Sequence, residues 1–242
     1  MMDESLVSSI RMRLEQVRGQ VAEAASRSGR RTEAVRLVTV TKLQPVEVIR
    51  AAIEAGANLF GENYAEEAAS KISSLAETAV EWHMIGHVQS RKADLVAAHF
   101  TMLHSLDSLK LASRLNRFCG ELNRTLPVLL EMNVSGETSK FGFPAWEKSR
   151  WPDLLPDVET LLQLPYLQVR GLMTMPPLSI HPEQVRPYFR RLRELRDFLS
   201  ARFPQAGWDE LSMGTSADFI TAIQEGATLV RVGQAILGPR PG

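Results

Sequence analysis

Apolar positions along this chain alternate between two rhythms, helical stripes and short β-branched runs. Leu6, Ile10, Leu14, Val17 and Val21 recur at intervals of three and four, and Gly29 stands where a helix would stop, so the first element reads as a helix over about 3–28. Residues 35–40 then form a β-branched run that reads as a strand. Pro45 opens a second helix with Val46, Ile49 and Ile53 on its apolar face, Gly56 closes it, and a second strand follows at 58–60. Further strands are expected at 80–85, 100–104, 127–134, 168–173, 210–213 and 228–232, eight in all. Helices are expected at 90–98, 107–122, about 153–164, 182–203 and 216–225. Strand and helix in strict alternation predict an α/β fold, and eight parallel strands predict a closed (β/α)8 TIM barrel spanning 1–242 as a single domain. No helix of useful length is expected after the last strand, and the leading helix is assigned that vacant place outside the barrel. Residues 49–57 and 220–227 repeat one pattern of helix, glycine, alanine and strand, and 135–152 and 175–177 read as long loops at the site-bearing end.

Composition narrows the function. The 242 residues carry 28 lysines and arginines against 28 aspartates and glutamates, so no net field draws the protein to nucleic acid or to an anionic membrane. Arg190, Arg191, Arg193 and Arg196 interleave with Leu192, Leu195, Phe198 and Leu199 and read as the solvated face of an outer helix. Cys119 is a lone thiol expected in the core. The acidic start at Asp3-Glu4, with no long apolar run, favours the cytoplasm.

Candidate chemistry gathers at strand ends. Lys42 follows the first strand, and an amine partly desolvated at a barrel mouth is suited to imine formation. Gly214-Thr-Ser216 after the seventh strand, with Ser216 as an expected N-cap, and Arg231-Val-Gly-Gln234 after the eighth are the loops that bind phosphate in many barrels. An amine facing a phosphate site suits a phosphorylated aldehyde. Glu62, Asn63 and Tyr64 follow the second strand, each able to meet a ring hydroxyl, though an asparagine there also suits a helix cap. His83 and His87 flank a strand end rather than sharing a helix face, which disfavours zinc, and His99, His104 and His181 show no convergent partners.

Taken in order, Val38-Thr-Val-Thr-Lys42, Phe60-Gly-Glu-Asn-Tyr64, Trp82-His-Met-Ile-Gly86 with Gln89 and Lys92, Asn133-Val-Ser-Gly-Glu-Thr-Ser-Lys140 with Gly142, Arg170-Gly-Leu-Met173, Leu211-Ser-Met-Gly214 with Ser216 and Asp218, and Val230-Arg-Val-Gly233 with Ile236-Leu-Gly238 carry a resemblance over nearly the whole chain. The sequence resembles the pyridoxal phosphate homeostasis protein family, relatives of the alanine racemase barrel domain. The resemblance implies a monomeric barrel of pyridoxal-phosphate fold type III without the C-terminal β domain, carrying pyridoxal 5′-phosphate as an aldimine on Lys42. It implies a pocket formed by Asn63, His83, Met213, Gly214, Ser216, Arg231, Gly233 and Gln234. It also implies a role in buffering or carrying the cofactor, with pyridoxal-phosphate-dependent apo-enzymes as recipients. Thr215, Arg91 and Gln234 depart from the family pattern, Gln234 replacing a small hydroxyl residue near phosphate. Lys140 is either a second amine that receives the aldehyde or the partner of Glu137 in a loop salt bridge. The alternative is an amino-acid racemase or decarboxylase, disfavoured because the sequence stops at Gly242 directly after the barrel; a class I aldolase would be colourless.

Overall fold

A computed structural model describes residues 4–177, 179 and 181–240. Asp3, expected at the start of the leading helix, lies outside the described residues, as do both chain ends. Nine strands follow in order as β1 (Arg36–Val40), β2 (Leu59–Glu62), β3 (Glu81–Met84), β4 (Met102–Leu106), β5 (Leu126–Asn133), β6 (Phe143–Pro144), β7 (Leu167–Met173), β8 (Glu210–Thr215) and β9 (Leu229–Val232). The helices are α1 (Glu4–Arg27), α2 (Val46–Glu54), α3 (Ala65–Ser74), α4 (Ala93–His99), α5 (Leu109–Glu121), α6 (Leu155–Leu162), α7 (Pro182–Arg202), α8 (Phe219–Gln224) and α9 (Gln234–Leu237). Every strand pairing is parallel, β1 bonds both β2 and β9, and β4 bonds β5, which closes eight strands into a barrel. The two-residue β6 is an addition: it pairs only with the outer end of β5, within the loop that precedes α6.

Period-two alternation divides the strand residues between two cores. Val38, Leu59, Met102, Leu129, Met173 and Leu229 form one apolar cluster, while Phe60, Trp82, Met84, Leu103, Leu130, Met213, Val230 and Val232 join the larger cluster under the helices. The buried face of α1 (Val7, Ile10, Leu14, Val17, Val21) is packed into that larger cluster, against α2, α8 and α9. Arg13 Nε donates to the Ile236 carbonyl at 2.7 Å and fastens α1 to the turn after β9.

The repeat seen at 49–57 and 220–227 has a common geometry. Gly56 and Gly226 sit at φ +99° and +104°, and the amides of Ala57 and Ala227 each reach back five residues to a helix carbonyl at 2.9 Å. That is the left-handed glycine stop with its long return bond.

Three local expectations need correction. Helix α3 was not anticipated, because its buried face is Ala65, Ala68 and Lys71 and carries almost no apolar stripe. Helix α8 starts at Phe219 behind Asp218, so Ser216 is an exposed loop residue and not an N-cap; Asp218 Oδ1 instead takes the Thr215 amide at 2.6 Å. The arginines of α7 are ties as well as a solvated face: Arg190 and Arg193 join Arg186 in pairing with Glu225, and Arg191 donates to the Val134 carbonyl.

Candidate functional site

The carboxyl ends of the strands surround a cavity of about 370 Å3, within the usual range of small-molecule sites. Lys42 enters it from a tight turn in which the Gln44 amide bonds the Thr41 carbonyl at 3.0 Å and Leu43 takes the left-handed conformation, φ +60°. A leucine there is strained by roughly 1–2 kcal/mol, and a buried polar cluster holds it. Lys71 Nζ donates to the Thr41 carbonyl at 2.8 Å and to Glu62 Oε1 at 2.7 Å, and Glu67 Oε1 accepts from the Leu43 amide at 2.8 Å. Glu62 thus points away from the cavity into the helix layer, where burial pushes its carboxyl up despite Lys71. Half-burial holds the Lys42 amine below its ordinary value, the nearby Arg240 cation adds to this, and Glu62 opposes it.

Arg231, on β9, is 3 % exposed and reaches the cavity floor. Its Nη1 donates to Ser212 Oγ at 2.7 Å and to the Ser212 carbonyl at 3.2 Å, and its Nη2 donates to the Thr174 carbonyl and Met175 Sδ, each at 2.9 Å. Among the described residues it has no carboxylate partner within salt-bridge distance. Burial lowers its pKa to about 10, with Asp218 and Glu131 opposing.

Of the residues expected here, Lys42, Asn63, Lys140, Ser216, Arg231, Gly233 and Gln234 share this one cavity wall. Among the described residues Asn63 Oδ1 is buried without a hydrogen-bond partner. No ion pair joins Lys140 to Glu137; only the Lys140 amide meets the Glu137 carbonyl, at 3.2 Å. Three expected residues stand elsewhere. His83 points inward below the cavity and meets His104 at 2.9 Å, because it occupies an inward-facing position of β3. Met213 alternates outward into the helix-facing core. Gly214 is a packing glycine: a Cβ on it would come within 2.6 Å of Ala222 and 2.9 Å of Phe219. His104 is likewise not isolated, as it bonds both His83 and Ser212. Tyr64 is exposed and lies off this wall, whereas His87 lines it, paired with Asp107 at 2.9 Å and stacked on Phe141.

Glu131 escaped the sequence reading. It lines the cavity at 7 % exposure with Oε2 unpartnered among the described residues, and burial together with Asp107 raises its pKa to about 7 against the pull of Arg231 and Lys140. Its signal was a lone carboxylate within the apolar run Val128-Leu-Leu-Glu-Met132.

A closed parallel barrel whose mouth joins a half-buried amine just after β1 to the loops after β8 and β9 has the architecture of the alanine racemase barrels, and the family model for the alanine racemase N-terminal domain matches residues 13–241. The pyridoxal phosphate homeostasis protein of Vibrio alginolyticus is 40% identical over 238 residues, covering 97% of this chain and 99% of the relative. The chain belongs to the family of pyridoxal phosphate homeostasis proteins, with the alanine racemase N-terminal fold. It is also similar to PipY of Synechococcus elongatus PCC7942, solved with pyridoxal phosphate bound, at 35% identity and TM-score 0.82, covering 95% of this chain and all of that one (100%). The alanine racemase of Streptomyces coelicolor A3(2) shares the fold at 17% identity and TM-score 0.74; the match covers 95% of this chain and 58% of the racemase chain. The relatives are named for homeostasis and not as enzymes. Among the described residues no helix is long and apolar enough to cross a membrane.

Proposed function

We propose that this protein binds pyridoxal 5′-phosphate in the mouth cavity, holds its aldehyde through a carbon–nitrogen double bond to Lys42 Nζ, and buffers or carries the cofactor in the cytoplasm. In this reading residues 1–242 act as one monomeric cofactor-binding unit with no turnover of their own, and apo-enzymes that need the cofactor are the recipients. The carrying observation is the shared wall: a half-buried amine of lowered pKa faces the same cavity as Arg231 and the ends of β8 and β9. Bound there, the cofactor supplies an aldehyde that condenses reversibly with amines.

The residues present fit such a ligand. Ser216 and the backbone amides of Gly233 and Gln234 offer phosphate donors around the β8 and β9 ends, and the Gln234 side chain adds another amide in place of a hydroxyl. Asn63 Oδ1 and Glu131 Oε2, both buried and unpartnered, match a heterocycle that brings its own donor groups. Arg231 can only donate, so it suits an acceptor on the ligand. Lys140, on the loop after β5, is the second amine of this wall and would take the aldehyde carbon by amine exchange, Lys42 regaining its free amine, before the cofactor is handed on.

The test is a visible spectrum of the purified protein incubated with pyridoxal phosphate, followed by borohydride reduction and peptide mass mapping. A yellow protein with the reduced adduct on Lys42, lost in Lys42→Ala at an unchanged melting temperature, is the expected result. A colourless protein, or an adduct trapped on another lysine of the wild type, overturns it.

A further inference from the structure

Arg231 ends a file of hydrogen bonds that crosses the barrel interior. Ser212 Oγ on β8 accepts from Arg231 Nη1 at 2.7 Å and lies 2.8 Å from His104 Nδ1 on β4. His104 Nε2 lies 2.9 Å from His83 Nδ1 on β3, and His83 Nε2 lies 3.5 Å from Glu81 Oε2. Glu81 stands at the amino-terminal pole of the barrel, half-exposed, beside Arg36. His83 and His104 are 1 % and 0 % exposed, and Ser212 is 0 % exposed.

The chemistry of the two ends gives the file one direction. A guanidinium only donates, so Ser212 Oγ is an acceptor toward Arg231 and its own proton needs an acceptor. Among the described residues the one within reach is His104 Nδ1. Nδ1 is then unprotonated, and a neutral His104 carries its proton on Nε2 and donates it to His83 Nδ1. His83 in turn carries its proton on Nε2, facing the Glu81 carboxylate. The reverse order would leave the buried Ser212 hydroxyl proton without a partner and would turn a ring lone pair toward a carboxylate, two unfavourable ends against none. Burial lowers the pKa of both imidazoles, which agrees with neutral rings.

We propose that Ser212, His104 and His83 are positioning residues for Arg231: a one-way hydrogen-bond file, anchored on Glu81 at the far pole, that fixes which guanidinium N–H groups remain to meet a ligand. With Nη1 given to Ser212 and Nη2 to Thr174 and Met175, Nε is the one guanidinium nitrogen without a partner among the described residues. The file therefore selects the Nε edge for the cavity. That the ligand is pyridoxal phosphate rests on the function proposed above; the file itself does not.

Two measurements decide it. In the protein free of pyridoxal phosphate, 15N-labelled histidine NMR at pH 7 is expected to show both His83 and His104 as neutral rings protonated on Nε2. A proton on Nδ1 of either ring, or a charged ring, overturns the file. In the loaded protein, Ser212→Ala is expected to shift the absorption band of the bound cofactor and to speed its loss on dialysis by roughly tenfold, at a melting temperature that shows a folded chain. An unchanged band and unchanged retention in a folded Ser212→Ala overturn the positioning role. A wild type that takes up no pyridoxal phosphate sinks the proposed function instead, and the ligand-free NMR then still decides whether the file exists.

Discussion

Glu131 places a titration in the middle of the physiological range. Its carboxyl holds a proton up to about pH 7 in the folded state but only to its ordinary 4.5 when exposed. Because the folded pKa is the higher one, ionisation of the group costs nothing below pH 4.5, and the penalty to folding grows as the pH rises from 4.5 to 7 and levels off above it. With about 1.4 kcal/mol per unit, the full penalty is roughly 3 kcal/mol above that range. Glu131→Gln, which stays neutral, should therefore gain stability over the wild type between pH 5 and pH 8, read as paired denaturant midpoints; a difference that does not vary with pH contradicts the raised carboxyl. At this scale the sequence was readable where a polar side chain stands at a strand end, as with Lys42, Asn63 and Arg231, which all line the cavity, because a strand end at a barrel mouth has a defined outlook. It misled where burial hides polarity. His83 faces inward but sits too deep in the barrel to reach the mouth, Met213 falls on the helix-facing side of its strand, and the space beside Gly214 is filled by α8.

The elements that frame the cavity depend on close backbone approach. Gly214 sits at φ +93° with the start of α8 pressed against it, so Gly214→Ala must both strain the backbone and push α8 outward. Overpacking of this kind costs about 1–3 kcal/mol. The variant should lose that much in a denaturant melt and should also retain pyridoxal phosphate less well, since Thr215 at the end of β8 and Ser216 just beyond it line the cavity; a melt identical to the wild type would show that α8 yields without cost. Element existence was legible wherever apolar residues kept a period, as in α1, α5 and all eight barrel strands. Helix α3 was not, because a lysine that ion-pairs inside the protein replaces an apolar residue on its inner face. The short start of α8 was misjudged because Thr215 bonds Asp218 and holds Ser216 and Ala217 in a turn outside the helix.

For the molecule as a whole, strict strand–helix alternation was enough to specify a ring, since parallel neighbours joined by outer helices have few other ways to bury both sheet faces. The file from Glu81 to Arg231 was beyond such reading, as its central step from His104 to Ser212 joins strands far apart in sequence and depends on which residues share the interior. One consequence of the ring concerns α1. It stands between α2 and α8 and is fastened to α9, so the segments that open and complete the barrel are already neighbours. A circular permutant that links the two termini by a short flexible bridge and opens the chain between Ala76 and Glu77, both exposed on the pole away from the cavity, should fold to the same barrel. It should keep its vitamin B6 colour, because every mouth loop stays covalently intact. Loss of folding in that permutant would mean that covalent entry through α1, and not its docking alone, is what assembles the ring.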